Sequence, residues 1–202
     1  MGLGVSYVMG YQEVAGGIFL PLTAVQLLWI NVIADGPPAL ALALDRNPGV
    51  MQHRPRTANS PLLDAVSLRF IVTTGLIKAL AGVALLVALP QSGYSLDQTR
   101  TAVFVFEALA QLIFAYPARR VSVVPLPNLA LHAAVLLGGG LQIATVFVPG
   151  LRELLGLAMI DVTAWAAITG AVLLCWGAAE LIGRRSFARH AQASASSGLR
   201  PA

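Results

Sequence analysis

Long stretches of this chain carry no charge. Val14–Ala34, Ala79–Leu96, Val121–Leu151 and Val162–Ala179 lack Asp, Glu, Lys and Arg, while Phe70–Pro90 and Thr101–Ala118 hold one charge each, Lys78 and Glu107. A helix at the surface of a soluble protein keeps a polar face, so a series of helices apolar all round belongs in lipid. With about 20 apolar residues needed per crossing, these runs are membrane spans. A segment in hydrocarbon must satisfy its own backbone groups, which makes each span a helix. The pattern predicts an all-α, polytopic transmembrane helix bundle. Full spans lie over Leu20–Leu44, Leu68–Leu89, Thr101–Tyr116, Leu129–Val148 and Ala164–Ile182, with an N-terminal partial span over Met1–Tyr11.

Turn-forming residues separate the spans. Asn47-Pro48-Gly49, Gln91-Ser92-Gly93, Pro117 and Pro125-Leu126-Pro127 read as connections, and Pro149-Gly150 closes the Leu129–Val148 helix. Asn128 and either Asp161 or Thr163 stand where N-caps belong. No basic stretch precedes the first apolar run, so no cleaved signal peptide is expected. The Ala- and Ser-rich end is expected to be a disordered cytoplasmic tail over 187–202, leaving 1–186 as the membrane domain.

Composition sharpens the picture. Hydrophobic residues make up 57% and charged residues 11%, against roughly 25% charged in an average soluble domain. The single cysteine, Cys175, excludes an internal disulfide and a multi-cysteine zinc site. The net charge of +4 is a topology signal, because Lys and Arg collect on the cytoplasmic side. If the spans alternate, Arg46, Arg54, Arg56, Arg69, Arg119, Arg120, Arg184, Arg185, Arg189 and Arg200 share one side, and only Arg100 and Arg152 face the other. Both termini are therefore expected in the cytoplasm, in an inner or plasma membrane. A nucleic-acid surface would need basic residues clustered on a water-exposed face, and few faces here are wet, so no nucleic-acid partner is expected.

Polar groups inside spans point to chemistry, since burying them in lipid is costly. Asn31 and Asp35 lie four apart and share a helix face. Gly36-Pro37-Pro38 follows at once, and neither proline has an N–H to donate, so an unwound or kinked helix with free carbonyls is expected beside Asp35. Oxygen ligands of this kind select hard cations such as Ca²⁺; the alternative is that both residues join helices by hydrogen bonds. Glu107 and Gln111, also four apart, offer a second coordination position or a protonated Glu107 bonded to Gln111. Lys78 either pairs with Glu107 or Asp35, replacing one cation, or stretches toward the headgroups unpaired. Gln26 and Gln142 read as packing hydrogen bonders, and Gly138-Gly139-Gly140 as a site of close helix packing.

The stretch LTAVQLLWINVIADGPPA over Leu22–Ala39 resembles the sixth transmembrane helix of type II P-type cation ATPases, the calcium pumps above all. DRNPGVMQHRPRTANSPLL over Asp45–Leu63 is similar to the loop before that family's seventh helix, and DVTAWAAITGAVLLCWGAAELIGRR over Asp161–Arg185 to its last helix. The chain in order resembles the end of helix five through helix ten. The resemblance implies that Asn31 and Asp35 are cation ligands and places Glu107 near a further ligand in helix eight. Ala34 stands where two-site pumps have a Thr, and Ser6 near where they have an acidic residue. It also implies Ca²⁺, or Mg²⁺ or a related cation, as cargo. A catalytic half is the implied partner, and ATP and Mg²⁺ act only in a complete pump. No acidic residue here begins the family's DKTGT phosphorylation motif. This chain alone is thus expected to bind no cofactor and hydrolyse no ATP, as the ion-translocating portion of such a pump. The alternatives are a non-catalytic membrane partner or regulator of an intact pump, and a passive cation channel.

Overall fold

A computed structural model describes residues 2–10, 19–45, 65–119 and 127–196. The expected Asn47-Pro48-Gly49 turn, Pro125-Leu126, and Arg46, Arg54, Arg56, Arg120 and Arg200 lie outside them. Helix α1 covers Gly2–Val8. Helix α2, Ala24–Trp29, passes through a π-helical segment, Ile30–Asp35, into α3, Gly36–Ala43. There follow α4 (Ala65–Gln91), α5 (Leu96–Arg119), α6 (Leu129–Phe147), α7 (Pro149–Leu154) and α8 (Val162–Ser196). Five helices are long and apolar enough to cross a membrane: Ala24–Ala43, Ala65–Gln91, Leu96–Arg119, Leu129–Phe147 and Val162–Arg185. The protein is an integral membrane helix bundle, and the described residues contain no strand.

Helix α5 is the axle. Phe104, Val105 and Phe106 are consecutive and all fully buried, which requires neighbours on every side. It packs against α4, α6, α8 and the π segment. Ala102, Ala108 and Ala110 are also buried; small side chains let helices approach closely where lipid provides no hydrophobic drive. The outer helices turn Ile71, Val72, Leu136, Leu137 and Leu174 outward, a lipid-facing surface.

Polar contacts gather at the two ends. At one, Arg119 on α5 grips Asp45 beyond α3 with two hydrogen bonds, 2.6 and 3.1 Å. Asn128 caps α6 by accepting from the Leu131 N–H at 2.9 Å, and its amide donates to the Ala41 carbonyl at 2.9 Å. At the other end, the Asp161 carboxylate caps α8 by accepting from the Ala164 N–H at 2.9 Å and accepts the Tyr94 hydroxyl at 2.8 Å. Those donors, Ala164 first, hold the Asp161 carboxyl below the usual carboxylate range. The stabilisation is present above the ordinary carboxyl pKa and is lost as pH falls through the lower folded value.

Four expectations need amendment. Pro117 lies within α5, in its last turn, where the Arg119–Asp45 ion pair holds the helix end. Pro149 does close α6, but it also opens α7, the first helical position being the one that tolerates proline. Helix α7 ends at Leu154 and is closed by Gly156, whose φ of +61° suits the left-handed residue of a Schellman cap; Leu157 and Gly156 donate to the Arg152 and Glu153 carbonyls. Helix α8 continues to Ser196, past Ser186, because extending an existing helix through alanines avoids the nucleation cost. Finally, the chain around Gly36 is not unwound: the helix continues, widened.

Replacing Asn128 with Ala removes both its cap and its tie to α3, and should lower stability by about 1–3 kcal/mol. Asn128→Asp keeps the cap oxygen but loses the donor to Ala41, and should fall between. Thermal unfolding in detergent ranks the three proteins; equal melting for Asn128→Ala and the parent contradicts this account.

Candidate functional site

The widening originates in the prolines. In an unbroken α-helix the N–H groups of residues 37 and 38 would bond to carbonyls four back, and both are missing. The chain shifts instead to bonds spanning five residues, with the Gly36 N–H donating to the Asn31 carbonyl. Such π segments are frequent at functional sites. One carbonyl cannot be served: the residues four and five beyond Ile33 are both proline. Its oxygen lies toward α6, where a Cβ on Gly138 would sit 3.4 Å away. The prolines do free a backbone carbonyl, then, but the structure sets it against a neighbouring helix.

Asn31 and Asp35 open and close nearly one full π turn, so they share a face. The two differ in surroundings. Asn31 is exposed on the bundle's outer surface. Asp35 is half-buried, and its Oδ1 is fully buried with no hydrogen-bond partner among the described residues. A carboxylate oxygen removed from water without a donor is unfavourable, so the position needs a partner that the described residues do not supply.

The second predicted pair has found a partner. Lys78 on α4 sends its Nζ to Glu107 Oε2 at 2.9 Å and donates to Gln111 Oε1 at 2.8 Å. Its side chain is only 15% exposed and that of Glu107 24%. Room for the carboxylate comes from Gly82, where a Cβ would stand 3.0 Å from Glu107 Oε1. A cleft of about 230 Å³ reaches Lys78 and Gln111 past Phe70 and Pro117. Another of about 170 Å³ reaches Glu107 past Pro21 and Leu22. Asp35 shares no hydrogen bond or ion pair with Lys78, Glu107 or Gln111. The described residues contain no cluster of three His, Cys, Asp or Glu able to hold a metal.

Other polar residues are structural, as their isolation suggested. Buried Gln26 donates to the Leu155 carbonyl at 3.0 Å and forms a capping box with Thr23. The T-x-x-Q spacing before an apolar run carries that box in the sequence. The Trp29 indole donates to Gln142 at 2.9 Å. These bonds hold α2 to α6 and α7 just ahead of the π segment. Ser6 on α1 is fully buried.

Residues 19–184 match the family described as "Cation transporting ATPase, C-terminus". The chain belongs to this family, and its helix bundle is a C-terminal transmembrane region of the P-type ATPase kind. It is 29% identical over 157 residues to a calcium-transporting ATPase of Bacillus subtilis (strain 168), covering 75% of this chain and 18% of that protein. Identity with calcium-transporting ATPase 1 of Bacillus cereus (strain ATCC 10987 / NRS 248) is 25% over 170 residues, 73% of this chain and 19% of the relative. With the Mus musculus calcium-transporting ATPase type 2C member 2 it is 33% over 90 residues, 42% and 9% respectively. The chain therefore spans under a fifth of the length of these relatives.

The ion pair yields a specific expectation. Lys78→Met leaves Glu107 charged and unpaired and should destabilise the bundle by roughly 3–5 kcal/mol. Lys78→Met combined with Glu107→Gln should recover most of that loss. Melting temperatures of the two variants decide it; a double variant no more stable than Lys78→Met contradicts the pairing.

Proposed function

We propose that this chain is the part of a calcium-transporting P-type ATPase that holds one side of a single cation site. Asp35 is its anionic ligand and Asn31 its neutral one. The observation that carries the reading is the buried, unpartnered Asp35 oxygen, on the same face of a π-turn as Asn31. The exposure of Asn31 supports a site shared with another part of the pump, since that side of the turn is open to helices supplied from elsewhere. Oxygen donors on a wide helical turn suit Ca²⁺, which accepts six to eight oxygens in flexible geometry. The names of the relatives point to the same ion.

Glu107 and Gln111 do not serve a second diffusible ion in this reading. The Lys78 ammonium supplies the positive charge there permanently, so one cation is carried per cycle. ATP and Mg²⁺ act on a catalytic half, which phosphorylates and drives the change of access. The basic end, with Asp45–Arg119 and Arg184 and Arg185, faces the cytoplasm of an inner or plasma membrane, as Arg placement requires. Both termini then lie on that side.

The test uses membranes that hold this chain together with its phosphorylating portion. Asp35→Asn keeps the shape but removes the charge, and should raise the Ca²⁺ concentration for half-maximal phosphoenzyme formation by about tenfold or more, near 1.4 kcal/mol. Gln98→Ala, at the far end of the bundle, should leave it unchanged. An unaltered Ca²⁺ dependence in Asp35→Asn overturns the reading.

A further inference from the structure

Three neighbouring glycines on α6 are not equivalent. A Cβ on Gly139 or Gly140 would meet open space, whereas one on Gly138 would stand 2.9 Å from Leu112 Cδ2 and 3.4 Å from the Ile33 carbonyl oxygen. Leu112 would have to yield, and it has little room to do so. It is only 1% exposed and forms one buried cluster with Ala34 of the π segment and Ala108 of α5, closed by Ile30 and Val135. Ala34 directly precedes Asp35. Gly138, Leu112 and Ala34 thus form a stack from α6 to the turn that carries Asn31 and Asp35. The Ile33 carbonyl, whose helical donors four and five residues on are replaced by prolines, faces the same glycine.

We infer that Gly138 is a positioning residue for the cation ligands: the missing side chain sets how deeply the π-turn seats against α5 and α6, and so where Asp35 and Asn31 stand. This rests on the reading of Asp35 as a ligand. Close-packed interiors pass on the displacement of a single methyl group because they hold few voids to absorb it. A ligand set is sensitive to shifts well under 1 Å. Gly138 touches no cation itself; its effect runs through Leu112.

The test compares three variants in membranes holding the assembled pump, reading both the Ca²⁺ concentration for half-maximal phosphoenzyme and the maximal phosphoenzyme level. Gly138→Ala should raise the half-maximal concentration by about tenfold, the order expected for a small misplacement, and leave the maximal level unchanged. Gly139→Ala, adding the same methyl to open space, should change neither. Gly138→Ala with Leu112→Val conserves the volume of the stack and should restore the parent affinity. If Gly138→Ala fails to accumulate, the double variant decides alone: parent-like affinity supports the inference and a lasting deficit overturns it. Unchanged affinity in Gly138→Ala, or affinity and maximal level falling together without recovery in the double variant, also overturns it. Asp35→Asn run alongside separates the two claims. If Asp35→Asn is without effect, the ligand reading fails; if Asp35→Asn responds and Gly138→Ala does not, only the positioning claim fails.

Discussion

A carboxylate oxygen, Asp35 Oδ1, is buried without a donor among the described residues, on the turn that the prolines widen. Lipid offers no water to compensate it, and the described residues offer no N–H. Asp35 is held in that state by its own backbone, because the prolines that follow deny the chain its α-helical bonds and force one wide turn. The turn keeps most of the backbone paired, as the membrane demands, and concentrates the unsatisfied polarity at the Ile33 carbonyl and the Asp35 side chain. Everything that packs behind the turn, from Ala34 to Leu112 and Gly138, then bears on where that carboxylate stands.

Glu107 shows the opposite solution to the same problem. Its carboxylate is also inside a span, but a lysine from the adjacent helix neutralises it and a glutamine shares the ammonium. Two acidic residues inside spans therefore have different surroundings. Glu107 is satisfied within the chain and ties α4 to α5, while Asp35 Oδ1 has no partner among the described residues. Burial does not separate them; the presence of a built-in cation does.

Much of this was legible in the residue pattern. Runs with at most one charge, bounded by turn residues, mark all five spans, since the bilayer sets their length, and Asn128 and Asp161 cap the helices they precede. The Asn31–Asp35 spacing and the prolines marked the site. How the backbone would respond to the prolines was not legible, because unwinding and π-widening satisfy the same missing donors, and packing chooses between them. The pairing of Lys78 was open for a related reason: its flexible stem reaches either headgroups or a carboxylate, and only the neighbouring helix resolves which. Triple glycine announced close packing without revealing that Gly138 alone makes it.

The most direct measurement is the structure of the assembled pump with Ca²⁺ bound. The account predicts a cation about 2.3–2.6 Å from an Asp35 carboxylate oxygen, with the Asn31 side-chain oxygen in the same shell and Lys78 still on Glu107. An Asp35 carboxyl that instead donates or accepts a hydrogen bond with another helix, with the ion bound elsewhere, would contradict it.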